Sequence, residues 1–244
     1  VADAEAEAAS IHRQLAAQAD PARAEGERAY LKDTHEHLGV AMAPGRKVAL
    51  GWLRETGPDL DAVLAVAEVL WRSEIYEDRR AAVELLVARA DLLGPEHLDR
   101  LEAMVRGGRT WALVDPLAHT AAGTVLTNHP EVAEARVSAW SCDEGSFWVR
   151  RLGVLSLSRP VRAGVVPFST FVTVADRLLE EKEFFIRKAI GWVLREIGRD
   201  DPASVERFCR RRMSRLSGVT WREARKPLPP AVVAELEAER AAGV

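Results

Sequence analysis

Cysteine is scarce: Cys142 and Cys209 are the only two in 244 residues, too few for a disulfide framework or a zinc cluster. Long apolar runs are absent. No stretch approaches the ~18 residues that span a bilayer, and the opening VADAEAEAAS is neither basic nor apolar enough for a signal peptide. Lysine is rare, five residues against 29 arginines, a bias that fits a GC-rich bacterial source. Disorder is excluded by 48% apolar and 29% charged residues. The chain reads as a cytosolic protein without a membrane partner, long enough for a sizeable core.

Charge is uneven along the sequence. Residues 1–100 carry 12 Lys/Arg against 19 Asp/Glu, whereas residues 101–226 carry 21 against 15. Such a basic stretch binds a polyanion if its charges share a surface; otherwise it is a set of solvated helix faces.

Strand signals are missing too. Apolar residues recur every three or four positions, as in Val63, Leu64, Ala67, Leu70 and Trp71, or Ile186, Ile190, Val193, Leu194 and Ile197. Short Gly/Pro breaks such as Gly57-Pro58, Gly94-Pro95 and Pro229-Pro230 separate the segments. The pattern predicts helices at 3–18, 24–33, 44–55, 59–72, 76–90, 95–106, 109–127, 131–139, 146–158, 167–180, 184–198, 202–213 and 218–226. Val161–Val174 also passes for a strand. The expected fold is all-α, a single domain over 1–244 with an N-terminal helix (1–20) and a C-terminal tail (227–244). Pairs 95–106/109–127, 131–139/146–158 and 167–180/184–198 step by about 40 residues, near the HEAT-type period, and stacked pairs of this kind curve around a concave face.

Trp111, Arg151 and Trp192 lie 40 and 41 residues apart, so each is expected at a comparable place on the second helix of successive pairs. Asp115 follows Trp111 by one turn on the same face. Taken singly, each has an ordinary alternative: core tryptophan, exposed carboxylate, surface arginine. Their joint phase favours a common groove. Trp52, Trp71, Trp140, Trp148 and Trp221 read as packing residues.

The block from Phe184 to Glu196, FFIRKAIGWVLRE, resembles the signature of the AlkD-type DNA alkylation repair glycosylases. Trp111-Ala112-Leu113-Val114-Asp115 is similar to that family's Trp-x-x-x-Asp segment, and Trp148-Val149-Arg150-Arg151 to its Trp-x-x-Arg helix. Tyr30-Leu31-Lys32, Leu38-Gly39-Val40, Leu216-Ser217 and Arg222-Glu223-Ala224 continue the likeness over about residues 20–226. Thr110 departs from it, standing where some members carry a second Trp.

The resemblance implies a right-handed solenoid of antiparallel HEAT-like repeats around duplex DNA, and a monomeric, monofunctional glycosylase that removes N3- or N7-alkylated purines. Asp115 corresponds to the catalytic carboxylate, Trp111 and Trp192 to the aromatic pair flanking the deoxyribose, and Arg151 to the basic residue at the adjoining phosphate. Tyr30, Lys32, Arg150, Arg187, Lys188, Arg195 and Arg212 are further candidate DNA contacts. Relatives in antibiotic producers are associated with removing bulky adducts, which makes genotoxin self-resistance one expectation.

The chemistry suits these groups. A 3-methyladenine or 7-methylguanine is already cationic and leaves as a neutral base, so the two-carboxylate arrangement of ordinary glycosidases is unnecessary. One ionised carboxylate stabilises the oxocarbenium ion and handles the attacking water. Each indole adds cation–π attraction of about 0.5–2 kcal/mol. No cofactor or metal is expected, since His12, His35, His37, His97, His119 and His129 are scattered. The rival readings are a non-catalytic helical-repeat protein that binds damaged or branched DNA, and a protein-binding scaffold.

Overall fold

A computed structural model describes residues 2–32 and 34–242. Among them the chain is helical without a strand; Glu36 and Ile75 form an isolated parallel bridge. The all-α expectation holds. Two compact units divide the chain, residues 1–117 and 118–244.

The first unit contains α1 (Ala2–Ala16), α2 (Pro21–Leu31), α3 (Met42–Thr56), α4 (Leu60–Trp71), α5 (Tyr76–Ala88), α6 (Leu98–Arg106) and α7 (Trp111–Asp115). Its core follows the sequence periodicity: Ile11 and Leu15 of α1 and Val63, Ala67 and Leu70 of α4 are buried, α1 packs on α4, and α5 lies against α3 and α4. Helix α2 starts three residues earlier than the apolar pattern places it. Asp20 caps it by accepting from the Ala22 and Arg23 amides at 3.1 and 3.2 Å, and Pro21 supplies the first helical residue.

The first turn of α5 is unusual in being charged and buried. Glu77, Asp78 and Arg79 are all buried, and each holds a different segment. Glu77 accepts from the Leu38, Gly39 and Val40 amides at 2.9, 2.7 and 3.0 Å. Asp78 meets His12 at 3.0 Å and the Ser73 hydroxyl at 2.7 Å. Arg79 donates to the Ser73 and Gly107 carbonyls at 2.6 and 3.0 Å. Burying such groups is tolerable only because every one is partnered. The 38–40 turn also needs glycine: Gly39 has φ +81°, and a Cβ there would stand 2.0 Å from the Asp20 carbonyl oxygen.

The second unit continues with α8 (Gly123–Asn128), α9 (Ala133–Ser141), α10 (Phe147–Leu155), α11 (Ser158–Arg162), α12 (Phe168–Leu178), α13 (Phe184–Gly198), α14 (Pro202–Arg212), α15 (Gly218–Ala224) and α16 (Pro230–Ala242). Packed pairs succeed one another, α9 on α10, α10 on α13 and α13 on α15. Three expectations change in detail. The helix expected at 146–158 is two, α10 and α11. The strand-like stretch 161–174 is the end of α11, a turn and the start of α12. The tail forms α16, anchored by the buried Leu236 and by Arg210, whose guanidinium binds Glu206, Glu235 and Glu239; Pro230 opens it at a position where proline is tolerated.

Gly191 lets α15 approach α13. A Cβ at this position would lie 2.8 Å from the Thr220 carbonyl oxygen and 2.8 Å from the Glu223 Cβ, and backbone cannot move aside as a flexible side chain can. Gly191→Ala is therefore expected to destabilise the protein by about 1–3 kcal/mol through overpacking, measured by urea unfolding.

Candidate functional site

In the first unit the site begins with a turn. Gly107 and Gly108 end α6, Arg109 takes a left-handed φ of +54° and reaches Glu74 at 2.8 Å, and the extended Thr110 leads into α7. Trp111 is thus the first helical residue. The exposed Tyr30 (73%) meets it edge to face, with ring centroids 6.2 Å apart at 81°. Of the sequence candidates, these two are brought into direct contact. Lys32 caps α2 from a left-handed conformation, with its side chain exposed. Thr110, in place of a second tryptophan, is buried.

Asp115 is the last residue of α7 and is half-buried. Beyond it the helix does not end but widens into a π-helical segment, Pro116–Ala122, before α8. The expected helix 109–127 is therefore one helical run from 111 to 128 with a π interruption. Proline explains the change. Pro116 has no N–H for the Ala112 carbonyl and its ring crowds that oxygen. The orphaned carbonyl is taken by Arg80, whose Nη1 donates to it at 2.7 Å while its other nitrogens hold Glu84 at 2.6 and 2.9 Å. Segments of this kind frequently mark functional positions. Arg80→Met is expected to cost about 1.5–3 kcal/mol, the range for a hydrogen bond from a charged donor, with Arg80→Lys recovering part of it; chemical denaturation measures both.

In the second unit Arg151 is the fifth residue of α10 and only 2% exposed. Its guanidinium donates to the Phe185 carbonyl and lies 5.8 Å from the centre of the Phe185 ring. Trp148 packs beside it against Phe147 and Phe185, at 4.4 and 5.0 Å, in the packing role expected of it. Trp192 is the ninth residue of α13 and half-buried. Trp111, Arg151 and Trp192 do fall on the second helix of their pairs, but at the first, fifth and ninth positions, one turn further along each time. The helix starts step by 36 and 37 residues, so a 40-residue spacing does not give equal places.

His119 is the residue the sequence reading passed over. It lies in the π segment, and its imidazole stacks on Trp192 with centroids 5.3 Å apart and planes at 8°. Nothing in a lone histidine four residues after Asp115 signals this contact, because the π turn resets the helical register.

The other expected DNA contacts have partners within the unit. Arg150 forks onto Glu181 and donates to the Asp143 carbonyl at 2.7 Å; the Glu181 hydrogen bond raises its pKa further above the ordinary arginine value. Arg187 donates to the Glu181 carbonyl at 2.7 Å. Arg195 binds Glu223 and Glu196. Arg212 grips Asp176 through two bonds of 2.6 Å and covers the Phe208 ring at 4.5 Å. Lys188 is exposed, its ammonium 5.8 Å from the Phe184 ring centre. Hydrogen bonding from Arg212, reinforced by Arg215, holds the Asp176 carboxyl below its usual range. A depressed carboxylate stabilises the fold above its unfolded pKa and loses that contribution as pH falls through the folded one. Asp176→Asn should thus melt below the unchanged protein at neutral pH, with the gap closing in acid.

One potential cation set emerges that spacing did not reveal. Ligand atoms of Glu27, His37 and Glu77 lie within 4.8 Å of one another. Within this set Glu77 is committed to the three backbone amides of the 38–40 turn and His37 stacks on Tyr76 at 4.6 Å.

The comparisons agree with this architecture. The sequence model of the DNA alkylation repair enzyme family matches residues 11–228, and the chain belongs to that family. A solved structure described as a predicted DNA alkylation repair enzyme from Enterococcus faecalis has the same fold: TM-score 0.76 at 21% identity, covering 87% of this chain and 98% of that one. No curated protein matches. Among the described residues, no helix is long and apolar enough to cross a membrane.

Proposed function

We propose that the protein is a DNA glycosylase that hydrolyses the N-glycosidic bond of cationic N3- or N7-alkylated purines in duplex DNA and leaves an abasic site. The carrying observation is Asp115 itself. A family of alkylation repair enzymes supplies the class, and within it Asp115 is a half-buried carboxylate at the point where α7 gives way to the π segment, on a helix whose backbone Arg80 secures. A carboxylate held this way needs little reorganisation as charge develops opposite it.

In this reading Trp111, Asp115, Arg151 and Trp192 keep the roles that the family resemblance implies. The C1′–N bond breaks with its electron pair going to the purine, which leaves neutral; the sugar becomes an oxocarbenium ion. Asp115 stabilises that cation and accepts a proton from the water that adds to C1′. Trp111, braced by Tyr30, presents an electron-rich face to developing positive charge, and Trp192 has the corresponding role in the second unit. Arg151 is 2% exposed and bonded to the Phe185 carbonyl, so it reaches the adjoining phosphate only by turning out of that contact. Lys32 and Lys188, both exposed, are further candidate phosphate contacts. Arg150, Arg195 and Arg212 act by shaping the surface through their carboxylate partners.

The test is a base-release assay on duplexes carrying 7-methylguanine, run beside duplexes with a bulky cationic purine adduct. Release from either establishes the glycosylase, and preference for the bulky adduct supports a self-resistance role. Asp115→Asn is expected to bind DNA normally and lose most of the release, at least 100-fold from lost charge stabilisation. If the unchanged protein binds but releases nothing from either duplex, the non-catalytic DNA-binding reading replaces this one.

A further inference from the structure

We infer that His119 is a positioning residue for Trp192: its imidazole backs one face of the indole and fixes the plane of the ring, leaving the opposite face to the sugar. The inference rests on the glycosylase reading for its catalytic consequence, but the contact that carries it is independent of that reading. Both residues belong to the second unit, with rings nearly parallel at 8° and centroids 5.3 Å apart, in the range of a stacked pair.

Three further observations support the assignment. First, the two residues come from separate helical elements, 73 positions apart, so this is a tertiary contact and not a by-product of one helix. Second, His119 reaches it from the π segment, the helical departure that begins directly after Asp115. The widened turn gives His119 a register that an uninterrupted α-helix would not. Third, the backbone under Trp192 is held tightly. Gly191 sits against α15, and Arg187, one turn before, has its carbonyl bonded by the Thr220 hydroxyl at 3.0 Å. With the helix fixed, the remaining freedom of Trp192 is rotation of its own side chain, and a flat ring packed on its face removes it.

A positioning role predicts a particular pattern. A cation–π contact depends on which way the indole faces, so releasing the ring should slow bond cleavage and leave DNA affinity nearly untouched. From the strength of a stacked aromatic pair, His119→Ala is expected to lower the single-turnover release rate about 2- to 12-fold. Affinity for undamaged duplex should stay within about twofold. His119→Phe, which restores a flat ring, should recover most of the rate.

The experiment measures release rate, duplex affinity and tryptophan emission for the unchanged protein, His119→Ala and His119→Phe, with emission repeated in a Trp192→Phe background. Support requires an emission change on His119→Ala that disappears without Trp192, together with the rate loss and its recovery by phenylalanine. Two results overturn the inference while the glycosylase reading stands: release unaffected by His119→Ala, or a rate loss that phenylalanine does not repair. If the unchanged protein releases no base, the glycosylase reading fails and the positioning role fails with it; the Trp192-dependent emission change then reports the stack alone.

Discussion

The first turn of α5 is the constraint on which the first unit depends. Four consecutive charged side chains, Glu77 to Arg80, are spent on backbone groups and buried partners instead of solvent. Glu77 gathers the amides of the 38–40 turn, Asp78 fixes His12 of α1, Arg79 holds the carbonyl of Gly107, and Arg80 takes the Ala112 carbonyl that Pro116 leaves without a partner. Removing one member of such a set costs more than its own bond, because the buried group left behind must then bear its desolvation alone. Through Arg79 and Arg80 this turn sets where α7 begins and how its backbone continues. The placement of Trp111 and Asp115 is in that sense decided some thirty residues upstream.

The second unit uses the same device with different residues. Arg150 and Arg151 of α10 reach across to Glu181 and to the Phe185 carbonyl, securing the start of α13, the helix that carries Trp192. Arginine suits this work because a planar guanidinium with five donors can hold a carboxylate by two bonds and still serve a backbone carbonyl. Much of the arginine richness is thus structural. A count of basic residues overstates how many remain for a polyanion: Arg212 and Arg195 are basic in the sequence and are half of an ion pair in the fold.

The amino-acid pattern made the helical class legible because burial imposes its 3.6-residue period directly on where apolar residues fall. Val63, Leu64, Ala67 and Leu70, and Ile186, Ile190, Val193, Leu194 and Ile197, are buried on the faces their spacing indicates, with Trp71 half-buried at the end of α4. Ends were less legible. Asp20 with Pro21 is a start signal that the apolar period alone passes over, and Pro230 likewise opens a helix in what reads as a tail. The candidate residues were visible as types within family-like segments, but their equal spacing was a weaker guide: helices beginning 36 and 37 residues apart put Trp111, Arg151 and Trp192 at successive turns.

By itself, the sequence determined the helical fold class, membership of the DNA alkylation repair enzyme family and the local segments around Asp115, Arg151 and Trp192, since all of these rest on near-neighbour periodicity and short motifs. Tertiary structure alone decided which arginines are already engaged, that Pro116 widens the helix into a π segment, and that His119 faces Trp192. The physical reason is range. Periodicity reports contacts three or four residues away, whereas a guanidinium's partner or a ring's stacking neighbour is chosen by elements that only folding brings within a few ångströms.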